Sequence, residues 1–189
     1  MRINARYLCL LLGLIFLCQY SANSLAGPYF NSSRKEVDGL SRLAVKELGD
    51  ARIQVIQMLT ELDAGELKKM AEARGKAIEF LQSALKNFQT IEDKVPKQPL
   101  VLKANSEDES RIFSQFRNTL KLKKLPEPKT EKDLAVLATT MVNRYFRAVA
   151  KANLSEFPKN WKGVREVILS EIDLLSVGNL VSVVWIIKK

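Results

Sequence analysis

The sequence predicts an all-α protein: an antiparallel helical bundle of four long helices plus one short helix, after a cleavable N-terminal signal peptide. Three observations carry that expectation. Apolar residues recur at steps of three and four along most of the chain. Hydroxyl residues followed three positions later by an acid, together with prolines, divide this pattern into segments. Before Gly178 no stretch shows the period-two alternation of a half-buried strand.

Residues 1–26 begin with Arg2 and Arg6, continue through an apolar run from about Tyr7 to Cys18, and end Ser24-Leu25-Ala26. A basic start, a short apolar core and small residues at the end are the pattern of a secretory signal cut before Gly27. The run is shorter than the roughly 20 residues a spanning helix needs. Leu8 and Leu17, ahead of the two cysteines, replace the small residue a lipid-attachment site would want. Both cysteines, Cys9 and Cys18, fall inside this segment, so the expected mature domain, 27–189, has no disulfide. Its length suits one domain, which must then hold together by apolar burial alone.

The first helix is expected at about 34–62, opened by a Ser33–Glu36 capping box in which hydroxyl and carboxylate satisfy each other's orphan N–H groups. Its inward face reads Val37, Leu40, Ala44, Leu48, Ala51, Val55, Met58 and Leu62. Asp63-Ala64-Gly65 breaks the run, and Asp63 with Glu66 resembles the next cap. The second helix, about 64–94, carries a seven-residue repeat of the coiled-coil kind through Leu67, Met70, Ala77, Leu81, Ala84, Phe88, Ile91 and Val95, widened by Ile78 and Leu85. So short a break predicts an antiparallel hairpin.

Pro96 and Pro99 make the following stretch a linker. Ser106 with Glu109 caps a short third helix, about 107–122, with Ile112, Phe113, Phe116 and Leu120 inward. Thr130 with Asp133 caps a fourth, about 131–153, facing inward through Leu134, Leu137, Met141, Tyr145, Ala148 and Ala152. Phe157-Pro158 turns the chain. Asn160 then caps a fifth helix, about 160–187, with Trp161, Val164, Ile168, Ile172 and Leu175 inward. Its end, Leu174 to Ile187, is uncharged and β-branched. The reading that fits the helical context is a helix continuing through or kinking at Gly178; a strand and a bilayer-contacting segment are the alternatives.

The inventory of chemistry is narrow. The chain has no histidine, and the expected mature chain no cysteine. That excludes histidine- and cysteine-based triads, thiolate or imidazole zinc sites and histidine pH switches. Acids such as Glu47, Asp50 and Glu107-Asp108-Glu109 fall on polar faces or first helical turns, where solvation and capping account for them. The expectation is therefore a non-enzymatic protein without cofactor or metal.

Charge gives the partner class. The chain holds 30 Lys and Arg against 21 Asp and Glu; without Arg2 and Arg6 the excess is seven. Arg144, Arg147 and Lys151 share one helix face at spacings of three and four, with Lys121, Lys123, Lys124 and Lys129 upstream. Arg74 interrupts the second helix's repeat, next to Gly75. It either reaches the bundle edge to pair or lines a site for an anion. Arg144, Arg147, Lys151 and Arg74 are the candidate binding residues. The expected partner is an acidic protein or anionic surface, with peripheral membrane contact as a further expectation. Nucleic acid is not expected, since its modules carry higher charge and exposed stacking aromatics. Two glycosylation sequons begin at Asn31 and Asn153.

Overall fold

A computed structural model of the protein describes residues 32–152, 159 and 161–187. The expected signal segment 1–26, both sequon asparagines, the expected Phe157-Pro158 turn and the expected Asn160 cap lie outside the described residues. Those described form five α-helices and no strand: α1 Ser32–Asp63, α2 Leu67–Lys94, α3 Glu107–Lys123, α4 Glu131–Lys151 and α5 Trp161–Val181, which passes into a π-helical segment Ser182–Ile187.

In α1 the buried positions are Val37, Ser41, Ala44, Leu48, Ala51, Val55, Met58 and Leu62, an unbroken alternation of steps of four and three. Leu40 is only half-buried, and Ser41 takes its expected place in the seam. The helix starts at Ser32, so Ser33 is helical rather than a cap. In α2 the seam runs Met70, Ala73, Ala77, Leu81, Ala84, Phe88, Ile91, and on to Val95 beyond the helix end. Three polar contacts give the register: Glu36 pairs with Lys94 at 2.9 Å, and the Glu47 carboxylate accepts from Ser83 Oγ (2.5 Å) and Asn87 Nδ2 (2.8 Å). Residue numbers fall on one helix as they rise on the other, so α1 and α2 run antiparallel. The same register sets small residues level with large ones, Ala44 with Phe88 and Ala51 with Leu81, so that the two surfaces interdigitate.

The turn between them corrects one expectation. Asp63 belongs to α1, α2 begins at Leu67 rather than Ala64, and Glu66 occupies the N-cap position without a side-chain cap bond. Gly65, at φ +76°, makes the reversal, a conformation that costs glycine little. Leu67, freed from the seam, is exposed.

The proline linker is tied down rather than slack. Leu100 N–H donates to the Lys129 carbonyl (2.9 Å) and Glu131 N–H to the Gln98 carbonyl (3.0 Å), an antiparallel bridge at Pro99 and Thr130. The α3 cap is half of the expected box: Ser106 Oγ accepts from Glu109 N–H, but the Glu109 carboxylate turns to Asn105 N–H. The α4 cap is complete, with Thr130 and Asp133 bonding reciprocally. Hydrogen bonds from the Thr130 side chain and backbone hold the Asp133 carboxyl below its ordinary range.

The fifth helix departs most from expectation. Gly178 does not end it; a Cβ there would meet Leu48 Cδ1 at 3.9 Å, an ordinary contact. The buried residues are Val164, Val167, Leu174, Val177, Leu180 and Val181, whereas Trp161, Ile168 and Ile172 of the expected inward face are exposed and Leu175 is half-buried. This helix is apolar on two faces, so periodicity alone does not choose between them. Its few polar groups do: Glu171 pairs with Arg52 of α1 (2.6 Å), Asp173 lies 3.1 Å from Lys123 of α3, and Ser176 meets Thr119 of α3 (3.0 Å). Beyond Val181 the π-helical winding lets three consecutive side chains, Val183, Val184 and Trp185, face inward. Trp185 Nε1 closes that end by donating to Glu131 (3.2 Å). Most of the uncharged stretch that begins at Leu174 is thus interior.

Candidate functional site

Helix α4 is a strongly two-sided element. Leu134, Ala135, Leu137, Ala138, Met141, Val142, Tyr145, Ala148 and Val149 are buried, and this face fixes the helix. On the other side Arg144, Arg147 and Lys151 are all exposed, as their spacing predicts. Among the described residues no ion pair engages any of the three. Some other exposed cations are engaged: Arg42 by Asp38, Lys46 by Asp50, Lys94 by Glu36, Arg111 by Asp108 and Arg117 by Glu127. The three lie in the last two turns of α4, where the partial negative charge of the helix end favours them. They therefore form a stable cationic face with its counter-charge left to solvent or partner.

Arg74 does something different. The α2 seam passes through Ala73, so Arg74 stands beside it, half-buried. Its Nε donates to the Val149 carbonyl (3.0 Å) and its Nη2 to the Ala150 carbonyl. Those carbonyls belong to the last turn of α4, where the regular ladder runs out; the Val149 carbonyl also takes a 3.3 Å bond from Ala152 N–H, which is shared with Ala148. The guanidinium fork is a C-terminal cap supplied from a neighbouring helix. The fold brings Arg74 to the same helix end as Arg147 and Lys151, but two of its donors are already committed to these carbonyls. Upstream, Lys121, Lys124 and Lys129 are exposed, while Lys123 turns inward to Asp173.

Asp173 is the one carboxylate among the described residues that is buried, and neither of its oxygens has an aligned hydrogen bond even with Lys123 in ion-pair range. The Tyr145 hydroxyl is also buried, with no hydrogen-bond partner among the described residues. Burial, reinforced by nearby Glu171, pushes its phenol above the ordinary value. Both are interior groups. Among the described residues no three His, Cys, Asp or Glu side chains are placed to hold a metal ion.

One open cleft of about 400 Å³ lies at the other end of α4, with Arg34, Lys103, Asn105 and Glu131 among its walls. None of the four expected site residues lines it. Its residues come from four separate stretches, so no spacing in the sequence announces it. Glu131 there is engaged by Gln98 (2.6 Å) and Trp185. For Asp173 the sequence did hold a signal: an acid inside the apolar run Ile172 to Leu175.

The chain matches no protein-family model, no curated protein and no solved structure.

Proposed function

We propose that this chain is an exported, non-enzymatic binding or accessory protein whose cationic α4 face takes an acidic protein partner. The observation that carries the reading is the grouping of charge on one helix face. Arg144, Arg147 and Lys151 are exposed together on a helix locked in place from behind, and among the described residues no ion pair engages them. Long-range attraction from such a cluster steers an acidic surface towards it. The neighbouring aromatics favour protein over nucleic acid. Tyr145 is buried and Phe146 packs against the core, which leaves no stacking platform on this face.

Two further parts of the reading belong with it. Residues 1–26 act as the export signal, which N-terminal sequencing of the secreted or periplasmic chain tests by a start at Gly27. The four long helices form an antiparallel bundle, with coiled-coil packing between α1 and α2. The heptad seams support this, as do the pairings Arg52–Glu171 and Leu48–Gly178, which run in opposite directions along α1 and α5.

The decisive experiment titrates poly-L-glutamate against the parent chain and an Arg144→Ala/Arg147→Ala/Lys151→Ala variant at several salt concentrations. The expected result is salt-sensitive binding that the triple variant loses, with stability changed by less than about 0.5 kcal/mol per site. Equal binding by both chains refutes the reading, and a large stability loss makes these residues structural instead.

A further inference from the structure

On a different helix, the outward face of α5 carries an apolar stripe, three of whose four residues the sequence had assigned to the core. Trp161, Ile168, Leu169 and Ile172 are 47%, 43%, 50% and 61% exposed, and with Arg165 their spacing places them on one side of the helix. Large apolar groups grouped in this way on a helix mark a docking surface more often than scattered ones do.

We propose that this face docks peripherally on an anionic lipid bilayer, with α5 lying in the plane of the interface. The charge pattern of the helix selects that occupant. Its acids Glu171 and Asp173 are drawn to Arg52 and Lys123 of neighbouring helices, while Lys162 and Arg165 are exposed beside the stripe, opposed by one exposed acid, Glu166. An apolar stripe flanked by Lys and Arg, with tryptophan at its end, suits the boundary between headgroups and acyl chains. The long basic side chains reach the phosphates while the aliphatic groups sink below them. A second copy of the chain fits less well, because symmetric pairing through this stripe brings two Arg165 cations into one desolvated contact. Trp161–Ile186 is long and apolar enough to cross a membrane by composition. Its later half, however, is core: Leu174, Val177, Leu180, Val181 and Val183 to Trp185 are buried. The helix therefore lies on the bilayer rather than spanning it.

The test uses the full chain and vesicles of brominated phosphatidylglycerol or brominated phosphatidylcholine. Bromine quenches tryptophan, and of the chain's two tryptophans Trp185 is buried, so the signal reports Trp161. Quenching is expected with the anionic vesicles alone and should weaken as salt rises. Lys162→Gln and Arg165→Gln should each weaken partitioning roughly fivefold, and Ile168→Ser/Ile172→Ser should abolish it. Should the serine pair fail to fold, the two exposed charge variants decide. Absent quenching, equal quenching by neutral vesicles, or quenching indifferent to these substitutions overturns the proposal. So does a concentration-dependent dimer that the serine pair dissolves, which would assign the stripe to a second copy.

Discussion

Lys123 Nζ of α3 lies 3.1 Å from the Asp173 carboxylate of α5, and that carboxylate is shielded from solvent while the lysine is about one-third exposed. A buried ion pair fixes orientation more than it stabilises, because removing two charges from water offsets their attraction. Its partner contact, Thr119 Oγ1 with Ser176 Oγ, stands one turn away. Together these contacts choose which of the two apolar faces of α5 meets α3.

Removing one partner should therefore cost more than removing both. Lys123→Ala leaves a buried carboxylate uncompensated and is expected to destabilise by about 2 kcal/mol, below the range for fully buried pairs because the lysine is partly solvated. Lys123→Met/Asp173→Leu should return to parental stability or exceed it. Urea unfolding of the parent and of the two variants measures this. A double variant as unstable as Lys123→Ala would show that the pair contributes through more than charge.

Tyr145 gives the pH dependence. Burial holds its phenol above the ordinary value of about 10, so the folded chain keeps a proton that the unfolded chain releases. For a group raised on folding, the associated stability is complete below the unfolded pKa and is lost as pH rises through the folded one. Above pH about 10 the parent should lose up to about 1.4 kcal/mol per pH unit relative to Tyr145→Phe. At neutral pH the same substitution removes an unpartnered buried hydroxyl and should raise stability by about 1 kcal/mol. Chemical denaturation at pH 7 and at alkaline pH checks both signs.

The Arg74 cap has a geometric signature. Arg74→Ala should cost about 1.5–3 kcal/mol, the worth of hydrogen bonds from a charged group, and should speed amide exchange in the last turn of α4. Arg74→Lys should recover little, since a single ammonium does not reproduce a planar fork serving two carbonyls. Full recovery by lysine would mean that charge near the helix end, rather than the two bonds, is what matters.

Ser41 sits in the otherwise apolar α1 seam, fully buried, its hydroxyl without a hydrogen-bond partner among the described residues. Ser41→Ala should raise stability by about 1 kcal/mol by deleting an unsatisfied polar group. Thermal unfolding reads it directly. A loss instead would identify a partner for that hydroxyl, such as a bound water.

The legibility of this chain follows from where periodicity is one-sided. In α1, α2 and α4 a single apolar stripe stands against a charged face, and Ala44, Leu81 and Met141 are interior as their spacing demands. The Thr130–Asp133 cap was equally readable, because both its partners lie within one turn. Arg144, Arg147 and Lys151 were placed on the exposed face by the same spacing. What failed was local in appearance and nonlocal in cause: Arg74 as a seam residue, Asp63 as a cap, Trp161 and Ile172 as core.

Sequence alone determined that the chain is helical, where most of its helices begin and end, and that it holds no histidine. Only the tertiary structure decided the facing of α5, the inward turn of Lys123, and the use of Arg74 on a helix about 75 residues further along the chain. The physical reason is the same in each case. Capping and periodicity are settled by neighbours three or four residues apart, whereas a buried charge or an orphan carbonyl takes its partner from whichever helix packs beside it.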